Sequence, residues 1–568
     1  MESKLKDLLL SVQKPGRYIG GEWNAVRKNW AGDTVKVCLA FPDVYEVGMS
    51  HLGMKILYGI LNERNDCLCE RVFAPWPDFE DLLRKNDSRL FSIESRKSLR
   101  DFDILGFSLA HELTYTNVLT MLELGGIPLK SKERGEDDVL VIAGGPSCFN
   151  PEPMAEFIDA FVVGDGEEVV EEIIDLYKKS RAAARKSRIA LLRALAKIPG
   201  VYVPSLYSVE YNSDGTIKRF APSEDDIPAK ISKRTLKDLD STYYPIKQIV
   251  PNIGIIHDRI AIEVMRGCKH ACKFCQAASI YRPCRERSSE KVLELARAAY
   301  AATGYDEVSL LSLSSVDYSA IRKVIDDLNQ EFCAKAVSIS VPSLRIEQMT
   351  KDIPLLISKV KKSGLTFAPE AGSDSLRKIL GKAVDMSRLF DAVAESFRRG
   401  WKRVKLYFMI GLPGETDEDV AKIADMVNSV SDLKKGLDGR PAQVAVSVNA
   451  FVPKPHTVFQ REAMASVKEL EHKKAILRKR IFSRLINLDF HDFGMSYLEA
   501  TLSRGDRRLG RVIEAAWKGG ARFDAWQERF LPDVWARAFQ TLGMDQDFYA
   551  TRPRPKDEIL PWEFIRLG

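Results

Sequence analysis

The 568-residue sequence contains no run of about 18 consecutive apolar residues, so nothing in it reads as a membrane-spanning helix. Its first fourteen residues are charged and lack the apolar centre of a signal peptide, which makes the cytoplasm the expected compartment. An excess of one charge is missing too. Lys and Arg number 85 against 79 Asp and Glu, a nearly balanced net +6 that does not point to a polyanion-binding tail or a strongly basic domain. Nine cysteines are too few for a disulfide scaffold, and an odd number could not all pair. No G-x-G-x-x-G turn follows the first apolar strand, where FPDVYEVG stands, which argues against a nicotinamide-dependent oxidoreductase.

What is present is alternation. Up to residue 204, short apolar runs ending in Gly or Pro alternate with amphipathic segments. TVKVCLAFPD (34–43), DILGFSLA (103–110), DVLVIAGGP (138–146) and DAFVVGDGEE (159–168) read as strands, with helices expected at 50–64, 113–125 and 166–180. Strands buried on both faces between helices imply a doubly wound parallel sheet. Ligands of such sheets sit beyond the carboxyl ends of the strands, here Pro42–Met49, Ser108–Glu112, Gly144–Phe149 and Gly164–Glu167. Residues 205–255 read as a connector with a hairpin turn at NSDG (212–215). A second series follows over 256–464. Six strands, at 259–265, 307–313, 336–342, 365–370, 403–411 and 443–453, have helical segments between them, the pattern of a partial (β/α)6 barrel. In the helix after the first strand, Val292, Leu295, Ala296 and Ala299 form an apolar stripe that Ser288 or Ser289 can cap. Residues 465–568 read as mainly helical. Four of the eight tryptophans (Trp517, Trp526, Trp535 and Trp562) fall after residue 510, implying a small core of its own or a lid on the barrel.

The chemistry-bearing segment is EVMRGCKHACKFCQAASIYRPCRERS (263–288), directly after the first barrel strand. Cys268, Cys272 and Cys275 have the spacing C-x3-C-x2-C, and three thiolates so close converge on one soft metal centre. Three is one short of a closed zinc or iron–sulfur site, so a [4Fe–4S] cluster held this way keeps one iron open. The alternative is a nonenzymatic zinc-binding scaffold, closed by Cys284 or, at a cramped spacing, by His270.

This motif, with Phe274 before the third cysteine and a β/α barrel behind it, resembles the radical SAM superfamily. PSLRIE (342–347), FAPEAGSDSLR (367–377), YFMIGLPGET (407–416) and FVPKPHTVFQ (451–460) resemble segments of members with an N-terminal cobalamin-binding-like domain. SYLEATLSRGDRRLG (496–510), GARFDAWQE (520–528) and LPWEF (560–564) resemble the distinctive C-terminal region of an uncharacterised family of this type. The resemblance implies that Cys268, Cys272 and Cys275 ligate a [4Fe–4S] cluster whose open iron chelates S-adenosylmethionine. The cluster, reduced by a donor such as flavodoxin or ferredoxin, then yields a 5′-deoxyadenosyl radical. Phe274 would shield the cluster and approach the adenine, while Arg266, Lys269 and Lys273 would raise the cluster potential. Hydroxyls of Ser312, Ser314 or Ser315 would stand in for an absent Gly-Gly-Glu-type turn. Ser343, Arg345 and Glu370 would hold the methionine and ribose groups, and Gly411 would belong to the adenine-contacting turn. Cobalamin is a further implied cofactor, although the Asp-x-His-x-x-Gly loop of cobalt-ligating domains is absent, with His51 and His111 in SHLG and AHEL instead. Methylation, sulfur insertion and rearrangement are all open, as is an RNA, protein or small-molecule substrate. For RNA, the basic runs KSRAAARKSR and SRGDRRLGR are the candidate phosphate contacts.

Overall fold

A computed structural model describes residues 7–30, 33–181, 187–341, 365–382 and 385–568. The N-terminal sheet holds β1 (Val35–Phe41), β2 (Cys67–Phe73), β3 (Ile104–Ser108), β4 (Leu140–Gly144), β5 (Ala160–Val162) and β6 (Val201–Tyr202). Their order is β2-β1-β3-β4-β5-β6, with the first five parallel and β6 antiparallel to β5. The chain reverses its direction of winding between β1 and β3, which makes the switch-point crevice that doubly wound sheets use for ligands. Sequence reading missed β2, because Glu70 and Arg71 interrupt its apolar run. Both are buried and paired. Arg71 binds Glu22 at 3.1 Å and Glu94 at 2.6 Å, and Glu70 accepts hydrogen bonds from Trp30, Ser92 and Ser95.

The connector carries the expected hairpin, β7 (Tyr207–Tyr211) and β8 (Ile217–Pro222), then β9 (Ile231–Ser232). The barrel begins with β10 (Ile260–Glu263). A short antiparallel pair, β11 (Met265–Arg266) and β12 (Arg285–Glu286), closes the neck of the cysteine-bearing loop. Next come β13 (Glu307–Leu311) and β14 (Ser338–Ser340), which join β10 in one parallel sheet. A second parallel sheet contains β15 (Leu365–Glu370), β16 (Arg403–Ile410), β17 (Gln443–Ala450) and β18 (Ile486–Phe490). All six expected barrel strands have counterparts. Ser288 caps the helix Ser289–Thr303, and Val292, Leu295, Ala296 and Ala299 are buried on it. Thr416 caps the helix Asp417–Asp438 through a capping box with Asp419. The strand β18 lies in the region expected to be mainly helical. Its sequence, INLDF, alternates apolar and polar residues over only five positions, and its pairing partner β17 lies across the helix Val467–Arg480.

The Trp-rich end forms neither a core of its own nor a lid on the barrel alone. Its helices Leu509–Lys518 and Pro532–Thr541 share one apolar core with the N-terminal sheet. Trp517 donates its indole N–H to Thr120 and Trp526 to Asp43, both at 3.0 Å. Trp562 donates to Gln460 on the barrel side at 2.7 Å, and β19 (Ile565–Arg566) pairs with β9. Among the described residues no helix is long and apolar enough to cross a membrane.

Candidate functional site

A cavity of about 460 Å3 lies between the carboxyl ends of β1, β3, β4 and β5 and the ends of β10 and β13. His51, Gly144, Gly164, Glu167, Gly267 and Ser312 are among its walls. Of the four loops expected to meet a ligand, those after β3, β4 and β5 reach it. Pro42–Met49 does not, and Asp43 is spent on Trp526 instead. Gly144 leaves a wall open, since an added Cβ would meet nothing nearer than 3.9 Å. His51 caps the helix Leu52–Glu63, its Nδ1 accepting from Met54 N at 3.2 Å. Burial pushes its pKa down to about 4, so the ring is neutral with its proton on Nε2.

The cysteine loop leaves β11 through Gly267, at φ +90°, where a Cβ would come within 2.6 Å of the Tyr281 carbonyl oxygen. Cys268 is buried, and Cys272 and Cys275 are half-buried. The Cys268 sulfur accepts from His270 N at 3.5 Å, and the Cys275 sulfur from Ala278 N at 3.4 Å. Such N–H···S bonds stabilise thiolate charge. The loop is pinned to the second barrel sheet by Lys273 N to Leu380 O (2.9 Å) and by Phe459 N to Lys273 O (3.2 Å). Phe274 packs on an apolar group that includes Ala371, Leu380, Leu412, Phe451 and Phe459, at the ends of β15, β16 and β17.

The donor set, as placed, does not form a closed single-zinc site. Four thiolates about 2.3 Å from zinc would stand about 3.8 Å apart. Among the described residues, no three ligand atoms that include one of these sulfurs lie within 4.8 Å of one another. A cubane separates its ligands onto different irons. His270 belongs to no such group of three among the described residues; its Nε2 pairs with Asp317 at 2.7 Å. Cys284 packs against the apolar core of β10 and β13.

The expected cationic surroundings need correction. Arg266 is bound by Asp165 (3.0 Å), Glu167 (2.7 Å) and Glu263 (2.9 Å), and Lys269 by Glu286 (2.7 Å), so neither adds net positive charge. Ser312 shares a 2.9 Å hydrogen bond with Ser315 and faces the cavity. Glu370 sits at φ +68°, strained for a non-glycine residue, with Lys382 at 2.7 Å. Gly411, at φ +78°, donates its N–H to Glu415 at 2.6 Å, and a Cβ there would meet the Leu470 and Ala465 side chains within 3 Å. Ser343 and Arg345 lie outside the described residues. In the run SRGDRRLGR only Arg511 of the four arginines is exposed. Arg504 bonds the Ala550 carbonyl, Arg507 bonds Glu152 and Arg508 bonds Asp506, so these three side chains are committed within the protein. KSRAAARKSR is described only in part.

A second cavity, of about 410 Å3, opens at the ends of β15, β16 and β17, bordered by Glu370, Tyr407, Asn449, Lys454, His491 and Glu499. Sequence reading gave no role to the charge cluster at its edge. Lys454 Nζ lies 2.9 Å from Glu112 and 2.7 Å from Glu499, and His111 Nε2 is 3.5 Å from Glu499. Burial opposes ionisation of Glu499, but Lys454 and His111 outweigh it and hold its pKa well below the carboxylate range. Burial would also lower the His111 pKa, yet Glu499 raises it. The lysine ammonium already fills the gap a cation would take. The cluster joins the N-terminal domain, the barrel and the C-terminal helix Phe493–Ser503. Only AHEL, FVPKPHTVFQ and SYLEATLS, far apart in sequence, hinted at it.

The comparisons define the class of protein. Residues 53–204 match the family described as radical SAM proteins, N-terminal, and residues 262–427 match the radical SAM superfamily, together more than half of the chain. The chain belongs to the radical SAM superfamily and is an enzyme of that class, with a [4Fe–4S] cluster and S-adenosylmethionine as cofactors. An uncharacterized protein of Methanocaldococcus jannaschii is 26% identical over 513 residues, 89% of this chain and 97% of that one. The ribosomal protein uS12 methylthiotransferase RimO of Acidithiobacillus ferrooxidans is 23% identical over 250 residues, 39% of this chain and 53% of its own length. The radical SAM methyltransferase TsrM from Kitasatospora setae, solved with cobalamin and a [4Fe–4S] cluster bound, superposes with a TM-score of 0.51 at 13% identity. That match covers 75% of this chain and 74% of TsrM, and it shows the fold.

Proposed function

We propose that this enzyme transfers a methyl or methylthio group, with Cys268, Cys272 and Cys275 as cluster ligands and cobalamin in the larger cavity. When bound, the cluster supplies the electron that cleaves the sulfonium of S-adenosylmethionine to methionine and a 5′-deoxyadenosyl radical. The chain's part is to bind, orient and exclude water. Phe274, on its apolar bed, walls off the cluster side. Glu370 and the turn at Gly411 offer a carboxylate and backbone groups to the ribose and adenine, and Ser312, Ser343 and Arg345 complete the proposed set. The observation that carries the reading is the larger cavity, which runs from the glycine-walled strand ends of the N-terminal sheet to Gly267, the residue before Cys268. Because the Nδ1 lone pair of His51 is used in its cap and Nε2 carries the proton, cobalt would find no histidine ligand there. The domain limits proposed are 204, 255 and 464, with β18 beyond the last limit completing the second barrel sheet. A low-potential donor of the flavodoxin or ferredoxin type and an oxygen-sensitive cluster suit the cytoplasm.

The test is anaerobic reconstitution with iron and sulfide, then dithionite and S-adenosylmethionine, following 5′-deoxyadenosine by mass spectrometry, with hydroxocobalamin binding read from its visible spectrum. A cluster, 5′-deoxyadenosine and stoichiometric cobalamin are expected. Bound zinc without iron would overturn the cluster assignment, and failure to retain cobalamin would overturn the cavity's.

A further inference from the structure

We propose that Asp165 is a positioning residue that holds the neck of the cysteine-bearing loop and so ties the cluster's geometry to the wall of the larger cavity. The inference rests on the cluster assignment above. After β5 the chain turns at Gly164, φ +107°, where a Cβ would come within 2.2 Å of the Arg234 carbonyl oxygen. This turn presses Asp165 against the connector and the barrel together. Its Oδ1 accepts from Arg266 at 3.0 Å, and its Oδ2 accepts from Arg285 at 2.6 Å and from Leu236 N at 2.8 Å. The side chain is only 9% exposed, and the two arginines keep its pKa low despite burial.

The two arginines are register partners across β11 and β12. They therefore stand on the two sides of the neck through which residues 267–284, with all three cysteines, enter and leave. Like charges directly opposite in an antiparallel pair repel. One carboxylate between them converts that repulsion into a bridge. Arg266 also has Glu167 and Glu263. Arg285 has no other carboxylate among the described residues, and its remaining partners are the carbonyls of Pro283, Leu236 and Tyr281. Gly164, Asp165, Gly166 and Glu167 also line the larger cavity, so its wall and the cysteine loop share this side chain.

The test uses the full chain and the variants Asp165→Asn and Asp165→Asn/Arg285→Gln. Hydrogen exchange of peptides covering 267–284 is measured on the metal-free proteins. Electron paramagnetic resonance of the reduced cluster, with and without S-adenosylmethionine, is measured after reconstitution. Asp165→Asn should speed exchange at the neck about tenfold, the scale of losing one buried charged hydrogen bond, and alter the resonance line shape. The double variant, which removes the orphaned guanidinium, should recover most of the protection. General misfolding would not be rescued by a second substitution at the neck. Wild-type exchange and line shape in Asp165→Asn, or a double variant as open as the single, would overturn the proposal. The exchange readout is independent of metal, so a wild type that takes up no cluster would count against the cluster assignment and leave the judgement on Asp165 intact.

Discussion

At the scale of the residue, the three cysteines differ in surroundings but share one task in the proposed function. Each of Cys268→Ala, Cys272→Ala and Cys275→Ala should lose the cluster's visible absorbance and all 5′-deoxyadenosine formation. His270→Ala should keep the cluster, because the three cysteines are its proposed ligands and that imidazole pairs with Asp317. Iron analysis together with the product assay checks both outcomes. Gly411→Ala would force a side chain into a left-handed backbone position already crowded by Leu470 and Ala465. A cost of about 1–3 kcal/mol and a raised KM for S-adenosylmethionine are expected, read by thermal unfolding and by the cleavage assay. These residues were visible in sequence because C-x3-C-x2-C and IGLPGET are local patterns. Asp165, Lys454 and Glu499 were not, because each acts on partners from other parts of the chain.

At the scale of the element, the join between the C-terminal helices and the N-terminal sheet runs through Asp524. It accepts hydrogen bonds from Thr116 at 2.7 Å and Trp535 at 2.9 Å. Burial pushes its carboxyl up to about 6, against those two bonds. A folded-state pKa above the unfolded value of about 3.9 gives stability that is present below that value and lost as pH rises through 6. Wild type should therefore lose up to about 3 kcal/mol from this group between pH 4 and 7. Asp524→Asn should lack that component, as denaturant midpoints at several pH values would show. That the helices of this end exist was legible in the sequence, which reads as mainly helical over 465–568. The face they cover was not, since nothing in a helix's period names its neighbour.

At the scale of the whole molecule, the first and last parts of the chain fold as one body. A truncation ending at residue 490 would strip Leu509, Val512, Ile513, Trp517 and Trp535 from the core of the N-terminal sheet. Such a fragment should bind a hydrophobic dye and melt without cooperativity, whereas the full chain should melt cooperatively by circular dichroism. Trp562→Ala, at a fully buried site tied to Gln460, should cost about 3–5 kcal/mol in the same measurement. The sequence by itself determined what local periodicity and spacing encode. That covers four of the five parallel N-terminal strands, the six barrel strands, the capped helices and three thiolates placed directly after a strand. Tertiary structure alone decided what depends on partners remote in the chain. It buried the charged strand β2 against Glu22 and Glu94, and it recruited β18 to β17. It also committed Arg504, Arg507 and Arg508 of SRGDRRLGR to partners within the protein and brought Asp165 to the neck of the cysteine loop. The physical reason is that burying a charge is costly until its counter-charge is in place, and only the folded chain supplies that counter-charge.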